Sequence, residues 1–89
     1  MLANVLIFSY KEVYQTVLKN IKSHIPKIIL AGESGVIDRI IYYKKEMNFK
    51  ISEARELINN SNKHNEILIL KNKLNNLEKE IFLTISKYE

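Results

Sequence analysis

Over its last third the chain repeats apolar residues in steps of three and four, through Ile67, Leu70, Leu74, Leu77, Ile81, Thr84 and Tyr88. Such steps place the side chains in one narrow stripe along a helix, the pattern by which helices pair lengthwise. A helix from Ile67 to Tyr88 is about 33 Å long. A chain of 89 residues is expected to have a radius of gyration of about 12 Å, so this helix spans the whole body. It is either the spine of the fold or a seam for a second chain.

Two glycines and one proline leave little turn chemistry, which favours helices over hairpins. The sequence predicts an all-α fold, a small helical bundle in one domain, with helices over about 9–24, 36–47, 51–60 and 63–87. Ser9, Tyr10, Lys11 and Glu12 form a capping box that starts the first helix, with Phe8 and Val13 placed as a hydrophobic staple. Tyr10, Val13, Tyr14, Val17, Leu18 and Ile21 then recur at helical spacing, and Pro26 ends the helix near Ser23 or His24. Residues 1–8 read equally as a short strand or a further helical turn.

Ile28 to Leu30 is a short apolar stretch leading into a glycine-containing turn. The second helix groups Val36, Ile37, Ile40, Tyr43 and Met47 on its inner face, with Asp38, Tyr42, Lys45 and Glu46 outside. Asn48, Phe49 and Lys50 read as a tight connection. The third helix turns Ile51, Ala54, Leu57 and Ile58 inward, and the run Asn59 to Asn62 breaks it.

The segment GVIDRIIYYKKEMNFKISEARELI, residues 35–58, resembles the paired-helix segment of the C-terminal domain of the bacterial ribosomal stalk protein. Ile37, Ile40, Tyr43 and Lys44 match in the first helix, and Ile51, Glu53, Ala54, Arg55 and Ile58 in the second. The resemblance covers about a quarter of the chain and implies a helical hairpin. Ile41 stands where the stalk domain presents a lysine to translation factors, and Asn48, Phe49 and Lys50 replace the glycines of its loop. The stalk's flanking strands and acidic, alanine-rich linker have no counterpart either. The hairpin therefore transfers as an expectation, and translation-factor recruitment does not.

Composition narrows the function. Hydrophobic residues make up 46% and charged residues 27%, the balance of a folded globular domain. Cysteine is absent, which excludes disulfides and thiolate metal sites. The net charge is +4, yet all but Arg39 and Arg55 of the fourteen basic residues are lysines scattered along the chain. Nucleic-acid binding wants them clustered on one face. A recognition helix at 51–60 would set Glu53 and Glu56 beside Arg55 against phosphate, leaving only Lys44, Lys45, Lys50 and Arg55 as a modest basic edge. The opening MLANVLIF is short for a secretory signal, and no stretch approaches about 18 apolar residues. No membrane partner is expected, and the expected location is the cytoplasm.

Chemistry-bearing constellations do not emerge. His24 and His64 sit far apart at element boundaries, the serines lack a nucleophile-elbow context, and Glu78 and Glu80 diverge on a helix. No catalytic residue, metal or cofactor is assigned, and no enzyme is expected. What remains is contact. Tyr42 on a polar helix face, with Arg39 and Lys45 near it, has the composition of an interface hot spot; the alternative is a ring laid across a neighbouring loop.

The seam of Ile67, Leu70, Leu74, Leu77, Ile81 and Tyr88 also has two readings. As a parallel two-stranded coil it pairs Glu66 with Lys71 and Lys73 with Glu78 between chains, making a homodimer. As an intramolecular stripe it packs on Tyr10, Tyr14, Val17 and Ile21. The sequence thus points to a non-catalytic protein-binding module, a dimeric inhibitor or immunity-type protein acting on a protein partner; the alternative is a small nucleic-acid-associated helical regulator.

Overall fold

The computed structural model describes residues 10–60 and 64–89, with side chains from residue 12 to 60 and from 67 onward. Four helical segments follow in order, α1 (Tyr10–Lys22), α2 (Ile25–Glu33), α3 (Ile37–Asn59) and α4 (His64–Ser86), and no strand occurs among the described residues. The all-α bundle expected from the sequence is the fold. The capping box at Ser9, the staple at Phe8, residues 1–8, the break at Ser61 and Asn62 and the Glu66 pairing lie outside what is described.

The chain path is simpler than the periodicity suggested. α1 and α2 are separated only by a turn at Ser23 and His24, and His24, the residue before α2, is itself in the right-handed helical region. The first helix ends where the sequence placed its end, but Pro26 does not keep a new helix from starting at once. It occupies the first turn of α2, where its missing N–H would have no intrahelical acceptor anyway, so Ile28 to Leu30 are helical and not a loose apolar stretch. α2 then stops at a Schellman motif: Gly35 takes φ +70°, its N–H donates to the Gly32 carbonyl and that of Val36 to Ala31. That backbone conformation costs glycine little and other residues more.

The larger correction concerns the middle of the chain. Asn48, Phe49 and Lys50 do not connect two helices; they lie inside the 23-residue α3, and the hairpin implied by the stalk resemblance does not form. The reason is phase. Ile40, Met47, Ile51, Ala54 and Ile58 are all buried, and their spacing runs through residues 48–50 without a shift. Polar residues there only mark the solvent side of a continuous helix.

α3 runs antiparallel to α4, with Arg55 opposite Glu78 and Lys44 opposite Glu89. It runs antiparallel to α1 as well, Tyr14 meeting Leu57 and Asn20 meeting Lys50. α1 and α4 are therefore parallel, in an up-down-up bundle. Rods laid side by side make a slab of 48 × 28 × 16 Å with a radius of gyration of 15.2 Å, longer than the compact globule expected from length.

The core joins Tyr14, Leu18 and Ile21 of α1 and Ile28 and Ala31 of α2 to the stripes of α3 and α4. In α4 every seam residue from Ile67 to Ile81 is buried within the one chain, Leu74 and Ile81 almost completely, with Thr84 and Ile85 beside them. Thr84 satisfies its hydroxyl by donating to the Glu80 carbonyl at 2.7 Å, and among the described residues no buried side-chain polar atom lacks a partner. Tyr14 places its hydroxyl 2.7 Å from the Leu57 carbonyl, supplying a donor in the last turn of α3, where carbonyls run out of helical partners.

Candidate functional site

Four residues expected to face inward are exposed: Val13, Val36, Ile37 and Leu57. Each has a local cause. Tyr14 and Val17 take the inward positions beside Val13. The Val36 backbone closes α2 and opens α3. Ile37 lies about two turns before Lys44, which pairs at 2.7 Å with Glu89, a residue already past the end of α4 at Ser86. Leu57 lines the shallow groove between α1 and α3.

Tyr42 lies on the outer side of α3, 49% exposed. Its ring meets Tyr43 edge to face with centroids 5.3 Å apart, and Tyr43 in turn meets the His24 ring at 6.3 Å. Arg39 places its guanidinium carbon 5.8 Å from the Tyr42 ring and 6.0 Å from that of Tyr43, within reach of a cation–π attraction. His24 is held to the end of α1 through Nδ1, 2.9 Å from the Asn20 carbonyl oxygen. The result is a row of rings running from the turn between α1 and α2 to the open face of α3. Tyr43, half-buried against the core, anchors it; Tyr42 and Arg39 present it. Lys45, one helical turn on, is exposed.

The structure brings together part of what the sequence singled out. Arg39 and Tyr42 form one contact unit, Lys45 flanks it, and Tyr42 packs on its neighbouring Tyr43, an arrangement in which the ring is not consumed by the core. The seam residues, by contrast, are covered by α1, α2 and α3 of the same chain. Glu78, which the coiled-coil register would pair with Lys73 of a second chain, is bonded by Arg55 through Nη1 and Nη2 at 3.4 and 3.0 Å, and Arg55 also donates to Asn75 at 3.2 Å.

The basic edge does not assemble. Arg55 and Lys44 reach towards α4, whereas Lys50 turns towards α1, donating to Asn20 at 3.5 Å and lying 3.8 Å from Glu46. Among the described residues no group of His, Asp or Glu comes together in a way that could hold a metal ion. No described helix is long and apolar enough to cross a membrane.

Two contacts within the bundle carried weak signals in the sequence. Arg55 is a flanking residue that only the antiparallel register places beside Glu78. Tyr88 ends the seam not against another helix side chain but over Gly32, where a Cβ would collide with its ring. Its hydroxyl donates to Glu33 at 3.2 Å. Desolvation, and then the charge and hydrogen bond of Glu33, hold that hydroxyl's pKa above its usual value.

Family models, curated proteins and solved structures yield no match to this chain. The functional reading accordingly rests on these side chains.

Proposed function

We propose that the chain is a non-catalytic protein-binding module, of inhibitor or immunity type, acting by occupying the surface of a protein partner. The observation that carries this is the Arg39–Tyr42 unit: an exposed aromatic ring backed by a second ring and flanked by a guanidinium, on a rigid helix. Tyr and Arg dominate interface energetics because they bury large area with a polar handle, and preorganisation on a helix lowers the entropy cost of binding.

Large apolar side chains left open nearby favour the same reading. Leu30 and Ile37 are 69% and 67% exposed, and Ile41 follows Ile37 one turn along α3. A nucleic-acid partner would have little use for them. A homodimer remains part of the proposal, but because the seam is covered within the chain, a second copy would meet it through these open faces.

The test is capture from the native host with tagged wild type, Tyr42→Ala and Arg39→Ala. A protein held by wild type and released by both variants, with unchanged melting temperatures, supports the module. Nucleic acid in the eluate, lost when salt is raised, replaces it with the regulator reading. Light scattering at micromolar concentration decides the dimer: a folded monomer removes it.

A further inference from the structure

We infer that the groove between α1 and α4 is a docking site for an acidic amphipathic helix of a partner protein. It lies apart from Tyr42, deepens the protein-binding reading and rests on it. The groove, about 410 Å³, has a floor of Leu18 and Leu77. Lys19 and Lys22 form one wall, and Lys73, Asn76 and Glu80 the other. It continues past Lys19 and Lys73 to Gln15 and Glu12. One turn before Lys73 on the same face of α4 stands Ile69, 59% exposed, which lengthens the apolar track.

Charge decides the occupant. Among the described residues none of the three lysines forms an ion pair, and the same is true of Lys27, Lys45, Lys71, Lys79 and Lys87; what marks the groove is that three ammonium groups line it against the Glu80 carboxylate and, farther along, that of Glu12. This excess of ammonium groups over an apolar floor suits a helix with a leucine-type stripe and carboxylates on both flanks, the helix-in-groove mode of recognition. From Ile69 to Glu80 the track is about 17 Å long, about three helical turns. A second copy meeting groove to groove would set lysine against lysine. A nucleic-acid strand would find phosphate partners, but neither an arginine nor an aromatic ring in the groove on which to stack a base.

The probe is a synthetic helical peptide of about 14 residues with leucines at i, i+4, i+7 and i+11 and glutamates on the flanks. Its counterpart carries lysines in place of the glutamates, and a short oligothymidylate is the nucleic-acid arm. Titrated into the isotope-labelled full chain, the acidic peptide is expected to shift backbone NMR signals of Lys19, Lys22, Lys73 and Asn76, with affinity falling as salt rises. Charge reversal by Lys19→Glu with Lys73→Glu should weaken it at least about tenfold; Lys19→Gln with Lys73→Gln, a milder change to the fold, should weaken it less. Tyr42→Ala should leave it unchanged.

The inference is overturned if the lysine-flanked peptide binds as well, if the shifts fall elsewhere, if oligothymidylate displaces the peptide, or if the acidic peptide causes no shifts. Such a failure, alongside a partner still captured through Tyr42, removes the groove and leaves the module. Loss of the Tyr42-dependent partner with intact peptide binding does the reverse.

Discussion

The two halves of α3 are one helix with two kinds of surface. From Met47 to Ile58 it seals Met47, Ile51, Ala54 and Ile58 into the core and leaves Phe49 and Leu57 outside, and Arg55 ties its flank to α4. From Ile37 to Lys45 the helix buries Ile40 but exposes Ile37, Ile41 and Tyr42. Both halves are apolar enough to make a core. The difference is cover: α4 ends at Ser86, and Lys44 already pairs with Glu89 beyond that end, so the N-terminal half keeps an apolar flank that the described residues leave open. A helix can thus be covered at one end and open at the other, with no change in its own regularity.

If the halves are a single rod, breaking the backbone between them should be the most damaging single change. Phe49 is 62% exposed, so Phe49→Ala should cost little, within about 0.5 kcal/mol. Phe49→Pro, which removes a helical hydrogen bond and clashes with the preceding turn, should cost about 3 kcal/mol or more. Chemical denaturation of the pair checks this. Equal midpoints would restore the hairpin and dissolve the comparison.

Truncations should then separate the halves. Ile51→Ala, in the sealed half, is expected to lose about 3 kcal/mol. In the open half Tyr43→Ala should lose about 2 kcal/mol, less because the ring is only half-buried, and Tyr42→Ala about 0.5 kcal/mol or less. Thermal melts rank the three. A Tyr42→Ala loss matching that of Tyr43→Ala would show that the outer ring is structural and would remove it as a contact residue.

Smaller effects probe how each end is closed. Gly32→Ala should cost about 1–3 kcal/mol, because the new methyl group displaces the Tyr88 ring; pairing it with Tyr88→Ala should recover part of the loss, read as non-additive melting temperatures. Arg55→Ala, at a partly exposed ion pair, should cost about 0.5–1 kcal/mol and less in high salt.

The slightest effect is on pH dependence. Because the folded state raises the Tyr88 pKa, its neutral hydroxyl is the favoured form. The stabilisation is full below about pH 10, the ordinary tyrosine value, and is lost as pH rises through the higher folded-state pKa, when phenolate would face Glu33. Denaturation midpoints at neutral and strongly alkaline pH should show a drop in wild type that Tyr88→Phe reduces.

Much of this was legible in one dimension. Low glycine and proline, the stripe from Ile67 to Ile81 and the spacing of Tyr14, Leu18 and Ile21 specify helices and name most of the core, because burial of one face is what the period of 3.6 encodes. The outward facing of Tyr42 and the inward facing of Tyr43 follow from the same geometry. Where the reading went astray, local composition was set against phase: Asn48, Phe49 and Lys50 looked like a turn, and the helix that starts just before Pro26 went unseen. Continuous burial from Ile40 to Ile58 overrode the first, and the placement of Pro26 in an initial helical turn allowed the second.

Which face meets which neighbour was decided only in three dimensions. Periodicity says that a stripe must be covered without saying by what, since the hydrophobic effect is non-directional. Register supplies the rest: the antiparallel alignment that sets Arg55 against Glu78 and Lys44 against Glu89 buries the seam inside its own chain, lays the Tyr88 ring on Gly32, and leaves Ile37 and Ile41 beyond the reach of α4. The sequence alone determined that this protein is helical and where each helix is apolar. Tertiary packing determined which of that apolar surface became core and which stayed open, because cover depends on where neighbouring helices end.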